Sequence, residues 1–199
     1  MNMDTTSFAF IISLAAVING LGMVQLLLSL GEYLRTRHRL RITHYWVFNL
    51  VVAFQFLLHI LLWWSLWNAR EAAEFNFLTY LYLLFGPILL FLGTSLLLPD
   101  VEEGTIDMRA QYFHIRPSYF TAMSMLWLWA IFFWPVLSGV FGPTAPILTA
   151  YLVIAVVLRL TAHPRVHAVL ALANWVLLVA FIVLYAMQLG AVGRTVTGG

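Results

Sequence analysis

Six stretches of this chain run without Asp, Glu, Lys or Arg: Ser7–Leu30, Tyr45–Trp67, Phe75–Leu98, Tyr119–Phe141, Ala145–Leu158 and Ala168–Leu189. A helix needs about 20 apolar residues to cross the hydrocarbon core of a bilayer. Five stretches reach that length unaided. The fifth in order reaches it roughly, if it continues to Thr161 with Arg159 extended towards the headgroups. The expected fold is therefore an all-α, polytopic bundle of six transmembrane helices, forming a single domain over residues 1–199. The expected spans are about 7–30, 45–67, 75–98, 119–141, 145–161 and 168–189.

Composition excludes most alternatives. Charged residues make up 9% of the chain and hydrophobic ones 63%, whereas a soluble domain carries about 25% charged residues. A soluble globule, a disordered protein and a nucleic-acid binder are all excluded on that ground. Cysteine is absent, which removes disulfides, thiolate metal sites, thioether-linked haem and cysteine nucleophiles. All ten basic residues are arginine, so no lysine can form the Schiff base of a retinal protein. An arginine-only basic set fits a GC-rich bacterial genome.

Arginine placement gives a direction. Arg35, Arg37, Arg39 and Arg41 lie between the first two stretches, Arg109 and Arg116 between the third and fourth, and Arg159 and Arg165 about the fifth loop. Only Arg70 and Arg194 lie on the other side. The positive-inside rule then places loops 1, 3 and 5 in the cytoplasm of a bacterial inner membrane, with both termini extracytoplasmic. Lipid phosphates are the expected partners of Arg35, Arg37, Arg39, Arg41, Arg116, Arg159 and Arg165. The three hairpins run the same way, unlike the inverted repeats of many transporters.

The interior of the stretches is polar only in places. At 100° per residue, Asn19, Gly22, Gln25 and Ser29 share one arc of helix 1, and Asn49, Gln55 and His59 share one of helix 2. Thr79, Tyr82, Gly86 and Gly93 align on helix 3, and Asn174, Tyr185 and Gln188 on helix 6. Unsatisfied amides in hydrocarbon are costly, so these arcs should face other helices or water. Asn19, Gln25, Asn49, Gln55, His59 and Asn174 are the candidate intramembrane site, and Gly86-Pro87 the candidate hinge. No carboxylate or arginine lies deep in a stretch, which argues against an ion-coupled pump or a voltage sensor.

Motifs for catalysis are not met. Gly93-Thr94-Ser95-Leu96 approaches a Gly-x-Ser-Gly serine-nucleophile pattern but ends in Leu, and no mid-membrane histidine follows in helix 6. No nucleotide-binding glycine pattern occurs. Loop 3 carries Asp100, Glu102, Glu103 and Asp107, in a spacing that matches no calcium loop. A short interfacial helix is expected over Asp107–Ile115. No cofactor is expected. Haem would need an opposing histidine pair that the spans lack. Zinc would have to be drawn from His163 and His167, four residues apart, plus a third ligand from elsewhere. The reading that follows is a non-catalytic subunit, assembly factor or regulator of a membrane complex, with membrane lipids and a protein partner or second copy as its contacts. The alternative is a channel or carrier for a neutral, lipidic or weakly basic solute through an Asn/Gln/His-lined cavity.

Overall fold

A computed structural model describes residues 5–36, 41–71, 76–97, 105–187, 192 and 195–196. Among the described residues six α-helices follow one another: α1 (Thr5–Thr36), α2 (Trp46–Leu66), α3 (Phe77–Leu97), α4 (Met108–Ser138), α5 (Ala145–Leu160) and α6 (Pro164–Phe181). A short 3₁₀ turn (Trp67–Glu71) extends α2, and a π-helical turn (Ile182–Ala186) extends α6. Five of the helical segments are long and apolar enough to cross a membrane, and α5 is the short one. At 1.5 Å per residue α5 measures about 24 Å, and Thr161 closes it as the C-cap.

Large apolar side chains lie exposed on the outside of every helix, among them Phe10, Trp63, Leu78, Phe132, Val153 and Val176. Water would not tolerate so continuous an apolar surface; lipid does. The chain is an all-α, multi-pass membrane protein.

Helix 4 departs from expectation. It begins at Met108 and not at Tyr119, so the expected separate interfacial helix is about its first two turns. The cause is the cap: Asp107 Oδ1 accepts from the backbone N–H of Arg109 at 2.9 Å and of Ala110 at 3.1 Å. That satisfies two of the four N–H groups a helix start leaves unpaired. Pro117 sits inside the helix and removes one backbone bond without ending it. At 31 residues, α4 outruns the roughly 30 Å hydrocarbon core.

The loops at that end hold a second feature that hydropathy does not reveal. Arg41–Thr43 and Thr105–Asp107 form two three-residue strands, β1 and β2, paired in parallel with Arg41 opposite Thr105, Ile42 opposite Ile106 and Thr43 opposite Asp107. Within the bundle α2 is central, touching α1, α3, α4 and α6, while α4 packs along both α3 and α5. Any polar side chain on the inner face of α2 is therefore surrounded by helices.

Candidate functional site

Gln55 and His59 lie one turn apart on α2, so both project from the same inner face. Both are fully buried. His59 Nδ1 lies 2.8 Å from Asn19 Oδ1 on α1, and its Nε2 lies 2.8 Å from Thr94 Oγ1 on α3. Asn19 Nδ2 donates to the His59 backbone carbonyl at 3.1 Å. Gln55 Nε2 donates to the Leu90 carbonyl at 3.0 Å and to Thr94 Oγ1 at 3.1 Å. Its Oε1 accepts from the Tyr119 hydroxyl of α4 at 2.9 Å.

The protons are assigned from these bonds. Asn19 uses its amide N–H groups as donors, so its oxygen accepts and His59 carries its proton on Nδ1. His59 Nε2 is then an acceptor for the Thr94 hydroxyl, whose lone pair receives Gln55. Donation runs in one sense from Tyr119 through Gln55, Thr94 and His59 to Asn19. Five side chains from four helices satisfy one another, with a neutral imidazole at the centre. The chain of bonds ends on a backbone carbonyl and contains no carboxylate, so its chemistry is that of a tie between helices.

Two glycines make room for it. A Cβ on Gly22 of α1 would lie 2.3 Å from His59 Cε1, and one on Gly93 of α3 would lie 2.4 Å from Met123 Cε and 3.3 Å from Gln55 Nε2. A third, Gly86, accommodates the Trp129 indole, whose edge atoms would be 2.4–2.6 Å from an added Cβ. There Tyr82 and Trp129 bond reciprocally across α3 and α4: Tyr82 OH donates to the Trp129 carbonyl at 2.6 Å, and Trp129 Nε1 to the Tyr82 carbonyl at 2.7 Å. Helix α3 runs unbroken through Gly86 and Pro87.

A second buried histidine closes the end nearest the strands. His167 Nδ1 lies 2.7 Å from the Tyr112 hydroxyl, and its Nε2 donates to the Thr161 carbonyl at 2.9 Å. Arg116 also donates to that carbonyl. The Tyr112 and His167 rings meet edge to face at 5.3 Å. This set ties α4 to the α5–α6 turn.

Of the sequence-selected residues, the structure thus brings Asn19, Gln55 and His59 together and leaves three apart. Gln25 accepts from Ser95 at 3.1 Å near the bundle surface, and Asn49 is exposed. Asn174 lines a small cavity of about 20 Å³ beside Tyr119 and Trp175, and its Oδ1 is buried without a partner. Arg35, Arg159 and Arg165 are exposed, and Arg35 lies 3.9 Å from Glu32. Arg116 instead turns partly inward. Arg41 lies in β1, while Arg37, Arg39 and Gln188 lie outside the described residues. His163 is exposed and His167 buried, and among the described residues no three of His, Asp and Glu gather as metal ligands would.

Sequence reasoning did not select Thr94, Tyr119 or Tyr112 for the site. Thr94 directly follows Gly93 of the selected helix 3 arc, and a buried hydroxyl must find a partner, whereas Tyr112 lies outside every uncharged stretch. No known protein family, curated protein or solved structure matches this chain.

Proposed function

We propose that this protein is a non-catalytic subunit, assembly factor or regulator of a complex in a bacterial inner membrane, with loops 1, 3 and 5 cytoplasmic and both termini outside. The observation that carries the reading is the mutual saturation of Asn19, Gln55, His59, Thr94 and Tyr119. Polar side chains that bind or pass a solute keep donors and acceptors turned towards it; here they are turned towards one another. A cavity of about 130 Å³ elsewhere in the bundle, apolar except for Ser65, Asn68 and Thr144, is lined by none of them. The lipid-covered outer surface is then what remains for contact with a partner protein or a second copy.

Two experiments test this. Gentle solubilisation with quantitative mass spectrometry is expected to recover a partner, or a second copy, at constant stoichiometry. A monodisperse monomer in every such preparation would overturn the proposal. Orientation is tested by single cysteines in a chain that has none. His114→Cys is expected to react with an impermeant thiol reagent only from the cytoplasm, and Phe141→Cys only from outside. The opposite pattern reverses the orientation.

A further inference from the structure

Between α2, α4, α5 and α6 lies a cavity of about 130 Å³. Leu90 of α3 also contributes to its wall. On α2 it extends from Leu58 to Leu66, and on α4 from Leu126 to Trp134. Eight residue rises of helix correspond to about 12 Å, so the space is a slot about two turns deep. Trp127 stacks on Tyr151 at its inner end, with ring centroids 4.4 Å apart and planes 11° from parallel. Leu148 of α5 and Leu178 of α6 form the sides.

The lining is graded. Every residue of the inner part is apolar or aromatic, whereas Ser65, Asn68 and Thr144 all lie at the outer end, where α2 and its 3₁₀ turn meet the start of α5. None of the described lining residues carries a charge. A cavity of about 150 Å³ with wholly apolar walls stays dry and takes an apolar guest; the inner part of the slot has such walls, and leaving it empty forfeits packing. In a bilayer the abundant guest is a hydrocarbon chain. The three polar residues at one end, among which Asn68 donates from Nδ2 to the Ser65 carbonyl at 3.0 Å, suit a chain that terminates in a group able to hydrogen-bond, and the absence of any cation among the described lining residues disfavours a carboxylate or phosphate there.

We propose that this slot is a binding site for a neutral, single-chain amphiphile, with its chain along Trp127–Trp134 and its hydroxyl or carbonyl end at Ser65, Asn68 and Thr144. The site is separate from the polar network and does not depend on the function proposed above.

The test uses the full chain in phosphatidylcholine vesicles and a monoacylglycerol carrying a photoreactive diazirine in its chain. Labelling is expected to saturate and to map to peptides containing Leu58, Trp127, Trp134 and Leu148. Unlabelled monooctanoylglycerol should compete, and octanoate should do so at least about tenfold more weakly, since nothing in the slot compensates its charge. Ala130→Phe, which places a ring in the slot, should cut the labelling about fivefold or more. Should that variant fail to fold, the competition measured on the unaltered chain decides. Labelling that does not saturate, that falls only on lipid-facing positions such as Val169 and Val176, or that octanoate competes equally, overturns the proposal.

Discussion

Replacing Gln55 with leucine is expected to destabilise the folded bundle by about 2–4 kcal/mol, measured as reversible unfolding in mixed micelles. Gln55 makes three hydrogen bonds, to Tyr119, Thr94 and the Leu90 carbonyl. Interhelical bonds in membranes are worth about 0.6–2 kcal/mol each. The larger part of the cost comes from what the leucine leaves behind. The Tyr119 hydroxyl lies in a residue only 2% exposed, and a buried donor without an acceptor costs about 1–3 kcal/mol. The double variant Gln55→Leu with Tyr119→Phe removes that orphan and is expected to regain about 1 kcal/mol or more. Such a cycle separates the network from plain loss of packing, because packing alone predicts additive losses. A Gln55→Leu protein within about 0.5 kcal/mol of the original would show the bonds to be energetically idle.

Two substitutions on one helix are expected to have unequal effects, one destabilising and the other neutral or stabilising. Gly22→Ala places a methyl 2.3 Å from His59 Cε1 and 2.8 Å from Nε2. The imidazole cannot swing aside without surrendering its bonds to Asn19 and Thr94, which hold it at both nitrogens. Overpacking of this kind costs about 1–3 kcal/mol, and a broken bond adds about 1 kcal/mol. Gly20 has nothing within 4 Å of an added Cβ. Gly20→Ala is therefore expected to be neutral or to stabilise by up to about 1 kcal/mol through helix propensity. Thermal unfolding of both variants in the same detergent decides the matter. Equal effects would mean that α1 does not approach His59 as described.

Much of this architecture is legible in the sequence, and for a definite reason. Each helix must cross hydrocarbon, and that requirement writes itself as a run of uncharged residues. The start of α4 is illegible by the same logic. Met108–Ser118 includes Arg109 and Arg116, so hydropathy ends the span at Tyr119, while capping by Asp107 continues the helix beyond it. That misplacement also hides Tyr119. At the supposed end of a span a tyrosine reads as an interfacial anchor; inside a longer helix it is a donor to Gln55. The arcs of Asn19, Gln55 and His59 point to a shared interior face because 100° periodicity reports rotation faithfully. Periodicity does not say which helix, if any, stands opposite. Asn49 shares the arc of Gln55 and His59 only at its edge, about 120° from Gln55 at 100° per residue, and there it is exposed.

Histidine shows the same division. The spacing of His163 and His167 allows them to share a face, yet the first lies at the N-cap, outside the helix proper, and the second is enclosed by aromatic rings from α4. Their separation along the chain carries no information about Tyr112, which lies 55 residues from His167 in sequence and 2.7 Å from it in space.

The parallel pairing of Arg41–Thr43 with Thr105–Asp107 bears on the order of events during biosynthesis. The second strand leaves the ribosome only after α2 and α3 have been made, so the first must wait, unpaired, while two further helices are inserted. Both strands must also emerge on one face of the membrane. A nascent chain that inserted only one of those two helices would leave the strands on opposite faces, with a bilayer between them. The clasp thus rewards an even number of crossings and closes on a hairpin pair that has already threaded correctly.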